Sequence, residues 1–170
     1  DEYKVMGLAP YGKPVHLDKL RRIVKLLPDG SFRLELSYFR HHRENVSYEW
    51  DNGAPSVGAL WSPALAELLG PARGKGEELT PGHKDLAASV QAMYEEAFFH
   101  LVNKLQARTG HENLALAGGC AMNSVANGKV YRRSPFKKVY IQSAAGDAGG
   151  AIGAAFHVWN RLGTGERDAA

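Results

Sequence analysis

The chain has 170 residues, enough for one compact domain or two small lobes but not for a large multidomain enzyme. Hydrophobic residues at 44% and charged residues at 23% exclude global disorder, and a lone cysteine, Cys120, excludes an internal disulfide and fits a reducing, cytoplasmic compartment. The net charge of +3 is too balanced to imply nucleic acid or membrane as partner, and no apolar run approaches the roughly 18 residues of a spanning helix. The opening Asp-Glu-Tyr-Lys carries neither an initiator Met nor a signal-peptide pattern, so the chain reads as a piece of a longer protein.

Residues 1–80 read as an irregular part, 81–162 as regular α/β structure, and 163–170 as a frayed tail. Leu20, Ile23, Val24 and Leu27 recur at helical spacing and predict a short helix over 19–27. Pro28-Asp29-Gly30 supplies turn chemistry, and the alternation of Phe32, Leu34 and Leu36 with Arg33 and Glu35 predicts a half-buried strand. Residues 41–52 are polar and aromatic and read as loop; 62–69 read as a short helix and 70–82 as an exposed connection.

Thr80-Pro81 fits an N-cap followed by proline at the first helical position. From there Leu86, Val90, Met93, Ala97, Leu101 and Leu105 predict one apolar stripe on a long helix that Gly110 ends. Gln91, Glu95, Lys104 and Arg108 fall on its polar face. A short buried strand is expected over 113–117, a helix over about 120–131, a second strand over 139–142 and a final helix over 148–162.

Each of the two strands runs into a glycine-rich turn. Gly118-Gly119 follows the first, and Ser143-Ala144-Ala145-Gly146-Asp147-Ala148-Gly149-Gly150 follows the second. Such a turn presents backbone N–H groups at a helix start, where partial positive charge gathers and a phosphate can approach the main chain. It equally serves tight helix–sheet packing. Asn123 could turn its amide to the same ligand, and Asp147 could either cap the last helix or hold a cation beside a phosphate. Parallel pairing of the strands would bring both turns to one sheet edge, where ligands bind in such folds. His41-His42 is a metal pair by residue type, but neighbours in an extended chain point opposite ways, so the two read as loop histidines. Cys120 reads as a small packed residue and the Phe98-Phe99 pair as core.

Three strings together carry a resemblance: Glu2-Tyr3-Lys4-Val5-Met6-Gly7-Leu8-Ala9-Pro10-Tyr11-Gly12, the stretch from Leu114 through Gly118-Gly119 to Lys129, and Ala144-Ala145-Gly146-Asp147-Ala148-Gly149-Gly150-Ala151. The connecting His83–Gln91 matches as well. In order and spacing they resemble the O-carbamoyltransferases of the NodU/CmcH type, which modify nodulation factors and antibiotics. The resemblance implies an α/β fold, one lobe of an RNase H-like, actin-like (ASKHA) ATPase domain with a mixed sheet and flanking helices. It implies ATP and carbamoyl phosphate as substrates, carbamoyl-adenylate made in a separate YrdC-like domain, and transfer of the carbamoyl group to an acceptor hydroxyl of a sugar or antibiotic with release of AMP. By match of motif, Gly118, Gly119 and Asn123, with Gly146 and Gly149 of the second turn, would contact the adenylate, Glu2 and Lys4 would lie near its ribose or phosphate side, and Asp147 would ligate a divalent metal, iron in the family. The family's HxxxH histidine pair does not occur in these residues, and neither does the YrdC-like domain. The expected partners are therefore small-molecule substrates and the remainder of the same protein, with no nucleic acid and no membrane. The two turns would also suit the tRNA threonylcarbamoyl transferases, from which the Lys4–Gly12 string and the Asn127-Gly128-Lys129 ending set this chain apart, and a sugar or acetate kinase-like ATP-binding domain would share the fold but lack Lys4–Gly12.

Overall fold

A computed structural model describes residues 2–163. Within it the chain forms two compact units, 1–105 and 106–170. The sequence boundary at residue 80 marks the start of a helix, whereas the units divide near that helix's last turn.

The first unit opens with α1 (Glu2–Leu8), continues through a tight turn over Ala9–Tyr11, and enters α2 (Leu17–Ile23). Helical spacing predicted a helix to residue 27, but the chain turns extended at Val24, and β1 (Val24–Leu26) pairs antiparallel with β2 (Phe32–Leu34). The Pro28-Asp29-Gly30 turn decides this: Ser31 donates its N–H to Asp29 Oδ1 at 2.9 Å, and Leu27 and Ser31 close the hairpin. A second hairpin, β3 (Tyr48–Asp51) and β4 (Ala54–Val57), stands where loop was expected. Its two-residue turn is Asn52-Gly53, at φ 48° and 83°. Asn and Gly tolerate positive φ at both central positions, and that twist suits a tight hairpin. Next come α3 (Pro63–Leu69), as expected, and α4 (Pro81–Thr109). His83 donates its N–H to Thr80 Oγ1 at 3.3 Å, which makes Thr80 the expected cap, and Gly110 closes the helix onto Gln106.

The core of this unit gathers Leu20, Ile23, Tyr38 and Met93, with Leu65, Leu68 and Leu69 of α3 against them. Polar contacts fasten α2 and the first hairpin to α4. Arg21 pairs with both Asp18 and Glu96, and the guanidinium is held still further above its usual range by Glu96 first and Asp18 second. The His100 ring bonds the Leu27 carbonyl at 2.8 Å. The expected apolar stripe of α4 is only partly the buried one. Met93 is buried, but Val90, Leu101 and Leu105 are exposed, while Gln91 and Glu95 of the expected polar face are buried and bonded to each other at 3.1 Å. A buried carboxylate is tolerated where a donor satisfies it.

The second unit holds β5 (Asn113–Leu116), α5 (Ser124–Asn127), α6 (Val130–Arg133), β6 (Lys138–Ile141) and α7 (Gly149–Leu162). β5 and β6 pair in parallel, in register from Asn113 opposite Lys138 to Leu116 opposite Ile141. Only Leu114 of β5 is buried, so the strand is not the buried element expected. The helix expected over 120–131 is broken into a 3-10 turn over Gly119–Met122, then α5, then α6. Asn123 causes the first break, since its side-chain oxygen accepts the Ala126 N–H and restarts the helix there. Across the described residues the architecture is mixed α/β with three two-stranded sheets, two antiparallel and one parallel, in place of the single mixed sheet expected. No helix among the described residues is long and apolar enough to cross a membrane.

Candidate functional site

Parallel pairing puts the ends of β5 and β6 side by side, and the two glycine turns leave from those ends. They touch directly: Gly118 donates its backbone N–H to the Ala145 carbonyl at 2.6 Å. Gly118 sits at φ 95°, where a side chain would be strained, so glycine is required by the turn itself. Met122 Sδ reaches within 3.2 Å of the space a side chain on Gly146 would need, which ties the first turn to the second again. A side chain on Gly149 would collide with the Ala144 carbonyl, so this glycine serves a close approach within the second turn. By contrast, the space beside Gly118, Gly119 and Gly150 is open. The two turns therefore form one surface with packed glycines below and unfilled glycines facing out.

The other predicted residues are distributed as follows. Asn123 is half-buried, and its carboxamide oxygen caps α5 at 3.0 Å from the Ala126 nitrogen. Asp147 is exposed in the second turn, directly ahead of Ala148 and α7. Glu2 and Lys4 are exposed on α1 in the first unit. Cys120 is exposed in the first turn and does not pack as expected. His41 and His42 are exposed, with ring centroids 6.1 Å apart and planes at 81°. Among the described residues no group of three or more His, Cys, Asp or Glu could hold a metal ion. Asp147 by itself is one ligand, so these residues do not form a metal centre on their own.

Two residues at the turns carry roles that sequence reasoning missed. Gln142, at the end of β6, accepts the Ala144 N–H through its side-chain oxygen and shapes the second turn. Asn127 donates to the Ala121 carbonyl at 2.7 Å and clamps the first. An amide side chain just after a strand or at a short helix's end was the available signal, and it reads as solvated unless the turn's path is known.

The Lys4–Gly12 string has its own geometry. Lys13 donates its N–H to Asp85 Oδ1 at 2.7 Å, His16 donates to Ser89 Oγ at 3.0 Å, and Gly12 lies so close to the Lys84 carbonyl that no side chain fits between them. The end of this string is thus seated on the His83–Gln91 stretch of α4. A separate apolar concavity of about 340 Å³ in the same unit is lined by Val5, Leu8, Trp61, Leu65, Leu69 and Leu86 and contains none of the predicted site residues.

The family described as "Carbamoyltransferase N-terminus" matches residues 1–156, which include the α1 string and both turns. The chain belongs to this family. It is 38% identical over 164 residues to the nodulation protein NolNO of Sinorhizobium fredii, covering 96% of this chain and 21% of that protein. It is 37% identical over 164 residues to NolO of Bradyrhizobium diazoefficiens, covering 96% and 26%. The uncharacterized protein sll1178 of Synechocystis is 44% identical over 168 residues, covering 98% and 25%. The chain thus spans about a quarter of the length of the curated relatives it matches.

Proposed function

We propose that this chain is the part of a carbamoyltransferase that receives carbamoyl-adenylate on the paired glycine turns of an ASKHA-type lobe. The observation that carries the reading is the contact of the two turns at the adjacent ends of β5 and β6, with Gly118 and Gly119 left open on their outer side. The family match favours the carbamoyl group as cargo over the tRNA-modifying and kinase alternatives.

In the transfer, the acceptor oxygen forms a bond to the carbamoyl carbon, the bond from that carbon to the phosphate oxygen breaks, AMP leaves, and the hydroxyl proton passes in the end to water. Negative charge grows on the leaving phosphate, and fixed N–H dipoles of the turns are suited to stabilise it. Gly118, Gly119, Gly146 and Gly149 contribute main chain, and Asn123, whose side-chain oxygen caps α5, is assigned with them to the adenylate. Glu2 and Lys4 are assigned to the ribose or phosphate side. The metal that the family resemblance implies would take one carboxylate here, Asp147, with its other ligands from elsewhere in the protein, and would supply charge stabilisation to the phosphate and carbamoyl oxygens. ATP and carbamoyl phosphate would be consumed in a separate YrdC-like domain, and the acceptor would be a sugar or antibiotic hydroxyl.

The decisive experiment is Gly119→Ala in the full-length protein. The new methyl group enters open space and leaves the fold unstrained, yet it stands where the adenylate would approach. AMP release with a hydroxyl acceptor should fall about 10-fold or more while the melting temperature is unchanged, a loss of about 1.4 kcal/mol in transition-state binding. Unchanged turnover would refute the assignment of the first turn.

A further inference from the structure

No residue of α7 is buried. Ile152, Phe156 and Trp159 recur at i, i+4 and i+7, Leu162 continues the row, and His157, Asn160 and Arg161 take the other face. Phe156 is 62% exposed, Trp159 71% and Leu162 79%. Lone exposed apolar residues are ordinary, but a contiguous row of four large ones on one helix marks an interface. A helix of this length also has little stability in water without a packed face. The strands tell the same story. β5 and β6 each have a single hydrogen-bonded neighbour among the described residues, and Tyr140 and Ile141 of β6 are exposed. Parallel strands occur almost only in sheets covered on both faces.

The relatives matched over almost the whole of this chain are about four times as long, so about three quarters of their length lies outside the matched region. We infer that the Ile152–Phe156–Trp159–Leu162 face of α7 is an intramolecular interface, covered by the part of the same polypeptide that the longer relatives carry beyond the matched quarter. The occupant is an apolar segment of that remainder, not a second copy of the chain. The polar atoms on α7's other face are left to solvent. The inference does not depend on the carbamoyl chemistry: it stands on uncovered apolar surface and relative length, and its test reads burial and not turnover.

The test uses the full-length polypeptide, with p-benzoyl-phenylalanine in place of Phe156 for photocrosslinking and the unaltered protein for hydrogen exchange. The amides of 152–162 should exchange about 100-fold or more slower than an unstructured peptide. The crosslink should be intramolecular and map, by mass spectrometry, to a peptide outside these 170 residues. Fast exchange in the unaltered protein would overturn the proposal. So would a crosslink to a second copy, or one to residues 1–148 of this chain. An altered catalytic rate would bear on the adenylate assignment alone.

Discussion

Ile23 and Ile152 are the same side chain in opposite circumstances. Ile23 ends α2 in the first unit at 6% exposure, among Leu20, Tyr38 and Met93; Ile152 begins the apolar row of α7 in the second unit at 38%. In the first unit a hairpin, two helices and the middle of α4 all reach one buried cluster, although Val90, Leu101 and Leu105 stay outside it. The second buries Leu114, Ala121, Ala126, Val130, Phe136 and Ala145 around its parallel pair and short helices, but no residue of α7 joins them. The contrast is between apolar side chains that this chain buries by itself and a helix face that it leaves uncovered.

The largest expected effect breaks the comparison directly. Ile23→Ala should cost about 3 kcal/mol, since it removes three methyl or methylene groups from a closed cluster and leaves a cavity. Ile152→Ala in the 170-residue chain should change stability by less than about 0.5 kcal/mol, as an exposed site does. In the full-length polypeptide the second value should rise toward the first. Urea midpoints of the four proteins measure this. Equal costs in the short chain would mean that α7 is packed there, and the contrast would be lost.

Gly12→Ala comes next. The added methyl group meets backbone of α4, at the Lys84 carbonyl, and backbone cannot swing aside as a side chain can. About 2 kcal/mol of destabilisation is expected, within the range of overpacking costs. The comparison is with Gly150→Ala in the second unit, which enters open space near the start of α7 and gains helix propensity, for a stabilisation of up to about 1 kcal/mol. Thermal unfolding distinguishes the two. If both glycines tolerated alanine equally, the seat of the Ala9–Gly12 string on α4 would not be a tight one.

How far these features were readable from the sequence differs from element to element. The turns after β5 and β6 were, because a strand followed at once by glycine leaves few alternatives, and the parallel pairing that joins them follows from the intervening helical segment. The breaks within 119–133 were not. They depend on Asn123 preferring to cap rather than continue a helix, a choice between two local bonds that composition does not rank. The Asn52-Gly53 dipeptide is a hairpin signal, but the flanking Tyr48–Asp51 and Ala54–Val57 lack the alternating apolar residues that mark strands, so the segment reads as loop without its pairing. α4 misled in the other direction. Its heptad-like stripe was real in the sequence, yet Gln91 and Glu95 satisfy each other and so can be buried in place of Val90 and Leu101. The seating of the Ala9–Gly12 string on α4 joins residues more than 70 positions apart, and nothing local announces it.

The smallest effect concerns acid. In the first unit Asp29 is held below the usual carboxylate range by the Ser31 hydroxyl and then its N–H, Glu35 in the same way by Ser37, and Glu44 by the Arg40 guanidinium. Each lowered value means that the folded state favours the charged form, so its stabilisation is complete above the unfolded value, 3.8 for Asp29 and 4.5 for the glutamates, and is lost as pH falls through the lower folded value. The urea midpoint of the first unit should therefore hold from pH 7 to 5 and decline below about pH 4.5. All three groups are solvent-exposed, so the decline should be shallow and should weaken further in high salt. Asp29→Asn should flatten part of it, because the amide cannot regain the charge-assisted bond from Ser31 at any pH. A midpoint that rises on acidification would reverse the sign, and would mean that repulsion elsewhere in this unit outweighs these turns.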